Sequence, residues 1–471
     1  MSWEVAVTVA EIAWVLGASG WIILEKRSPT ATLAWILGLA LLPLVGALVY
    51  FYLGPRRLER KRMRRLAAIS AVTQDCIPFL ARTPAPERRR IAQLMRLAAH
   101  RDGIPASTVQ AAELYTNGAA AFAAIGEAIA AATHHVHLEY YIFEPDTTGT
   151  RLRDALIERA RAGVEVRLLV DALGSPRVRG AFVAPLVAAG AKVARFNPPR
   201  LGALVGRRWL NFRTHRKIVV VDGNVGFCGG INVHDDENLE VKGADAWRDT
   251  HVRLEGNAVR GLQRTFLEDW AFATGAAPVA KAFFPEAPAG PHAVQIVASG
   301  PDGDAYAIAK FYFASVATAR ERVWLTTPYF VPDDALVAAL VTAAGRGVDV
   351  HLLLSKKTDS RLVDAAGRSY YDQLLRAGVK IHLYGPPMVH AKTLLVDRDL
   401  AIVGTANFDN RSLRLNFEVM AVAYDEGFAD KLADVFRADL GRAQAVRLRD
   451  VKGPLPGRLF EAAARLLSPQ L

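Results

Sequence analysis

Two short strings in this chain carry the residue types needed to break and remake a phosphodiester. His215-Arg216-Lys217 leads through Ile218-Val219-Val220-Val221 to Asp222, and His390-Ala391-Lys392 leads through Thr393-Leu394-Leu395-Val396 to Asp397. Both read H-x-K-x-x-x-x-D. Each continues at the same offset, to Gly229-Gly230-Ile231-Asn232 and to Gly404-Thr405-Ala406-Asn407. A sparse pattern met twice in one chain is far more specific than a single copy. A neutral imidazole can attack phosphorus, and a protonated one can give its proton to a leaving alkoxide. Histidine holds both forms near neutral pH. Lys217, Lys392, Asn232 and Asn407 can donate to the non-bridging oxygens, where charge needs stabilising. Gly230 and Thr405, small residues before each Asn, would let a phosphate approach the backbone. One imidazole cannot be nucleophile and acid in the same step, but two can share those roles.

Asp222 and Asp397 have two readings. Asp222-Gly223 after an apolar run is a hairpin-turn signal, and Asp397-Arg398-Asp399 sits in the same place. Each Asp can close a turn or reach the substrate. The Ile218–Val221 run reads as a buried strand, and on an extended strand His215 and Lys217 would project to one side.

The repetition reaches beyond the motifs. Residues 136–144 resemble 323–331, Gly163–Leu169 resembles Gly347–Leu353, and Gly190–Val193 resembles Gly378–Ile381, always in the same order. Separations of 175 to 188 residues mean a duplicated domain, since stacked short repeats have far shorter periods. Ala-rich amphipathic stretches alternate with Val/Leu/Ile runs, which predicts α/β halves with a mixed or parallel sheet. The Pro-rich stretch from Ala276 to Pro291 is the expected joint.

With these residues in view, the chain resembles the phospholipase D superfamily, and more narrowly the bacterial cardiolipin synthases. The narrower likeness rests on Asn211–Lys217, on Thr327–Asp333, and on Asn410-Arg411-Ser412-Leu413 with Asn416-Phe417-Glu418. It covers nearly the whole chain. Gly230 and Thr405 depart from it, standing where the family often has Ser. The resemblance implies two tandem phospholipase D-like α/β domains forming one shared active site, with no metal or other cofactor. It also implies that Asp249 and Glu418, each opening a strand after its half's Asn, orient the imidazoles. A local ion pair with Arg248 or Arg253 is the other reading for such a carboxylate. Tyr140, Tyr141, Tyr329 and Phe330 would line the site or lie in the core. The implied reaction is phosphatidyl transfer between two phosphatidylglycerol molecules, giving cardiolipin and glycerol through a phosphohistidine on His215, with His390 as acid and base. Hydrolysis of phospholipid or nucleic acid by the same residues is the alternative, and a non-catalytic membrane scaffold is a third reading.

The N-terminus adds an independent clue. Val5–Leu24 and Leu33–Leu53 are 20 and 21 residues long and mostly apolar, enough for two membrane spans in a hairpin. The absence of Lys or Arg before the first span, and the second span directly after it, argue against a cleaved signal peptide. Seven basic residues between Arg56 and Arg65 follow the second span and place that end, with the catalytic part, on the cytoplasmic side of the inner membrane. They can also hold anionic headgroups, at about 1 kcal/mol each. The expected organisation is a hairpin over 1–55, a basic linker over 56–105, and phospholipase D-like domains over 106–280 and 281–471. A formal net charge of +11 suits an anionic partner. That partner is expected to be phospholipid, with nucleic acid not expected. Cys76 and Cys228 define neither a disulfide framework nor a metal site. His134-His135 reads as surface.

Overall fold

Seven strands in one order occur twice. A computed structural model describes residues 3–24, 29–42, 72, 74–80, 88–100, 103–198, 212–276, 278–301, 306–451 and 453–471. In the first sheet the order is Ala111–Tyr115, His251–Glu255, Val225–Gly229, Ile218–Val221, His135–Tyr140, Glu165–Asp171, Lys192–Phe196. In the second it is His292–Ser299, Glu418–Ala423, Leu400–Gly404, Thr393–Val396, Arg322–Thr327, Asp349–Ser355, Lys380–Tyr384. The second sheet gains an edge strand at each side, Ala443–Ala445 and, from the N-terminal side of the first sheet, Ser107–Val109. In each sheet the last three core strands are parallel and the others antiparallel, so both are mixed. The parallel pairs are joined through helices such as Thr147–Arg161 and Asp334–Gly345.

The continuous apolar runs of the motif strands follow from burial on both faces. Val219 and Val221 face the helices of their own half. Ile218 and Val220 point the other way, into a cluster shared with Leu395, Val403, Val419 and Ala421 of the second sheet. The two sheets therefore pack face to face through an apolar layer. The helix Val259–Thr274, almost wholly buried, lies beside it. The helix Arg89–Ala98 packs into the core of the second half.

His135 departs from the surface reading. His134 is exposed, but His135 and His137 are buried beside Gln263, at 3.1 and 3.2 Å, and against Phe283. Side chains alternate along the strand that begins here, so of two neighbouring His one must turn inward. Phe283 comes from the stretch expected to be the joint, which is packed here.

Two helices, Trp3–Leu24 and Pro29–Leu41, pack together as a separate unit. Among the described residues no helix is long and apolar enough to cross a membrane. Pro29–Leu41 has 13 residues, and Trp3–Leu24 includes Glu4 and Glu11. The rest of the second expected span, 43–53, and the basic run Arg56–Arg65 lie outside the described residues.

Candidate active site

The two motifs meet where the halves exchange backbone hydrogen bonds. Thr214 bridges Phe417, and Arg248 bridges Val389. His215 N donates to Phe417 O at 2.8 Å, and His390 N donates to Arg248 O at 2.7 Å. In each case the residue just before one half's carboxylate holds the other half's His. Arg248 is fixed by a fork to Asp439 at 3.0 and 2.6 Å and donates to the Asp249 backbone carbonyl at 2.5 Å, which leaves the Asp249 carboxylate to His390. Arg213 and the Thr214 amide are anchored on buried Asp171, at 3.2 and 3.1 Å.

The exchange sets the carboxylates. His215 Nδ1 lies 3.0 Å from both oxygens of Glu418. His390 Nδ1 lies 2.6 Å from Asp249 Oδ2 and 3.3 Å from Glu237 Oε1. An ionised carboxylate only accepts, so each Nδ1 carries hydrogen and each Nε2 is left for chemistry. The sequence pointed to Asp249 and Glu418 but not to their crossing over. Glu237 was missed. It sits in His234-Asp235-Asp236-Glu237-Asn238, where three consecutive acids look alike, and burial alone distinguishes it.

Both Lys side chains are buried, and each ammonium donates to its own motif's His carbonyl, Lys217 at 2.7 Å. Burial lowers the Lys217 ammonium to about 7, with Lys392 adding to the effect. The two cations, from different halves, are thus close enough to repel. Burial also lowers Lys392, against Asp249 and Glu237. Burial lowers His215 to about 4 despite Glu418, helped by Lys217 and Lys392. Burial would raise Glu418, but His215, Lys217 and the Thr405 hydroxyl hold it below the usual carboxylate range. Glu237 is likewise lowered, burial being outweighed by His234 and His390.

The remaining candidates are placed as follows. The backbone N–H of buried Asn232 donates to Glu237 at 3.2 Å, while Asn407 is buried with Oδ1 unpaired among the described residues. Thr405 Oγ1 donates to Glu418 at 2.5 Å. At Gly230 a Cβ would stand 2.1 Å from Asp249 Oδ1, so the missing side chain makes room for that carboxylate. These two positions support carboxylates, a difference from the expectation that they face a phosphate. Asp222 and Asp397 lie at the far ends of their strands, roughly 20 Å from their His along an extended chain. Asp222 accepts from the amides of Thr133, His134 and His135, and Asp397 from those of Arg320, Glu321 and Arg322. Both have φ near +50°, in the left-handed region, which suits turn residues. His215 and Lys217 precede the strand, which begins at Ile218. Tyr141 stands with its ring 5.1 Å from that of His215, and Trp247 is 5.2 Å from His390. Tyr140 and Phe330 are core residues. Tyr329 donates to Asp359 at 2.6 Å.

Glu237, Asp249 and His390 present ligand atoms within 4.8 Å of one another, a set able to hold a divalent cation. Such an ion would need the Nδ1 lone pair of His390, and a proton there already accounts for both carboxylate contacts.

The family described as "Cardiolipin synthase, PLD-like domain" matches residues 125–270 and 312–440. Cardiolipin synthase 2 of Bacillus anthracis is 40% identical over 459 residues, covering 96% of this chain and 88% of the relative. The chain belongs to the phospholipase D-like cardiolipin synthase family. A cardiolipin synthase of Geobacillus kaustophilus is also 40% identical, covering 96% of this chain and 91% of its own. A "Phospholipase D-nuclease N-terminal" region matches residues 12–55. The crystal structure of phosphatidylserine synthase from Haemophilus influenzae superposes with a TM-score of 0.61 at 14% identity, over 78% of this chain and 97% of that one. At that identity it supports the fold alone. The cardiolipin synthase family thus accounts for the duplicated fold and for the paired motifs.

Proposed function

We infer that the protein is a cardiolipin synthase, a phosphatidyltransferase that joins two phosphatidylglycerol molecules. The observation that carries this reading is the pair of His/Lys sets, one from each half, each imidazole backed by the opposite half's carboxylate, in a chain similar to cardiolipin synthases along almost its full length.

His215 Nε2 attacks the phosphorus of one phosphatidylglycerol. The bond from phosphorus to glycerol oxygen breaks as His390 Nε2–H protonates that oxygen. The phosphatidyl group is left on His215, with Lys217, Lys392 and Asn407 facing its non-bridging oxygens. His390, now neutral, takes the proton from a hydroxyl of the second phosphatidylglycerol, whose oxygen attacks phosphorus and releases His215 and cardiolipin. The assignment of roles is supported by the electrostatics. Burial keeps His215 neutral, as a nucleophile requires. His390 Nδ1 is held by two carboxylates, Asp249 and Glu237, which fixes the ring with Nε2 toward the leaving oxygen. Asp222 and Asp397 serve as turn anchors outside this chemistry.

The apolar stretches at 5–24 and 33–53 are read as a two-helix membrane anchor, with Arg56–Arg65 on the cytoplasmic face and its anionic lipids. The match of residues 12–55 to an N-terminal region of the superfamily agrees with an anchor as a unit of its own.

The test is product analysis with labelled phosphatidylglycerol as sole lipid. Cardiolipin plus glycerol from wild type, absent from His215→Ala and His390→Ala, is expected. Phosphatidic acid without cardiolipin would make water the acceptor and the protein a phospholipase.

A further inference from the structure

A cavity of about 900 Å³ opens beside the second motif, a size usual for small-molecule sites. One wall is the loop Gly385-Pro386-Pro387-Met388, which runs on through Val389 to His390. Ser355, on the wall, donates to Val389 O at 2.7 Å, which ties the cavity wall to the residue before His390. The opposite wall is the helix Leu455–Leu466, which packs on the helix Arg361–Arg368.

The lining combines two chemistries. Leu383, Val446 and Phe460 give it an apolar side. Lys356, Lys357 and Arg361 are exposed at it, and none has a carboxylate partner among the described residues. The acids that also line it are engaged: Asp364 accepts from Thr358, Glu461 pairs with Arg368, and Asp450 accepts from the Arg447 amide. Four cations, Lys356, Lys357, Arg361 and Arg368, face these three carboxylates, a balance of one positive charge.

We propose that this cavity is a second lipid site, where an anionic phospholipid rests with its phosphate on Lys356, Lys357 and Arg361 and its acyl chains against Leu383, Val446 and Phe460. It deepens the cardiolipin synthase reading: the site would hold the phospholipid about to approach His390, or the product leaving it.

The two native thiols, Cys76 and Cys228, are buried, so an introduced surface thiol takes the label. Full-length protein in detergent carries Phe460→Cys labelled with bimane, in a His215→Ala background so that lipid is not consumed. Dihexanoyl-phosphatidylglycerol, below its micellar concentration, is expected to shift the emission to the blue saturably. Lys356→Glu with Arg361→Glu is expected to raise the half-saturating concentration about tenfold or more. Dihexanoyl-phosphatidylcholine and inorganic phosphate are expected to leave the emission unchanged. An equal response to phosphatidylcholine, a response to phosphate alone, indifference to the charge reversals, or no response would each overturn the site. In unlabelled, His215-intact protein the same charge reversals should raise KM for phosphatidylglycerol while kcat holds. Loss of kcat with KM unchanged would count against it. A wild type that makes no cardiolipin while the labelled protein still binds would refute the reaction and leave this site standing.

Discussion

The two copies of the motif have the same residues but different surroundings. His215 leans on one carboxylate, Glu418, which is itself held by the Thr405 hydroxyl. His390 leans on two, Asp249 and Glu237, and Gly230 stands where Thr405 does in the other copy. The backbone at both positions is the same: Gly230 N donates to Thr250 O and Thr405 N to Val419 O, each at 2.9 Å. A duplicated scaffold has thus kept its register and diverged in the support of its imidazoles. The difference teaches how one motif can supply two roles. A single carboxylate in a dry, doubly cationic pocket leaves His215 neutral, whereas the ring of His390 is held by two carboxylates at once.

The sharpest way to break this comparison is to remove each imidazole. His215→Ala and His390→Ala should each reduce cardiolipin formation by about 10⁴-fold or more. Wild type given phosphorus-labelled phosphatidylglycerol and denatured at neutral pH, where a phosphohistidine survives, should carry label on His215; label on His390 would reverse the roles. The carboxylates come next. Glu418→Gln should cost about 10³- to 10⁴-fold in kcat, since among the described residues no other carboxylate supports that imidazole. Asp249→Asn should cost about 10²-fold, and Glu237→Gln about tenfold, because each leaves the other in place. Equal losses at all three would show that the asymmetry has no kinetic meaning. Gly230→Ser should approach the loss of Asp249→Asn, because its Cβ would displace that carboxylate, while Thr405→Ala should cost only several-fold.

Acidity sharpens the same contrast. With His215 lowered to about 4, its neutral form prevails above that value, so the acid limb of kcat/KM should fall near pH 4 and not near 6.5. Lys217, lowered to about 7, loses its charge above that pH, so the alkaline limb should begin near neutrality. A kcat/KM profile with its acid midpoint at 6.5 would contradict the burial argument. The smallest catalytic effect is expected where the motif looks most catalytic. Asp222→Asn and Asp397→Asn should lower stability by about 1–3 kcal/mol in thermal unfolding, through lost amide contacts, and leave kcat of the folded protein within a few-fold.

The His, Lys and Asn pairs were legible because a sparse pattern repeated with one offset leaves little room for chance. The sheet strands were legible as Val/Leu/Ile runs, since strands covered on both faces need apolar residues throughout. The exchange of carboxylates was not, because Glu418 and His215 are 203 positions apart and nothing local ties them. Glu237 was hidden among acids of equal appearance. His135 was misread because burial within a His pair depends on which residue the strand turns inward. The roles of Gly230 and Thr405 depended on the atoms behind them.

The crossing of the carboxylates also has a consequence in time. A ribosome adding about 5–20 residues per second delivers His215 roughly 10–40 s before Glu418. For most of that interval the nascent chain has the first imidazole without the second, and throughout it lacks the carboxylate that aims the first. Reactivity toward phosphodiesters is therefore expected only once the second half has folded onto the first, and a translation product cut short before Glu418 is expected to be silent.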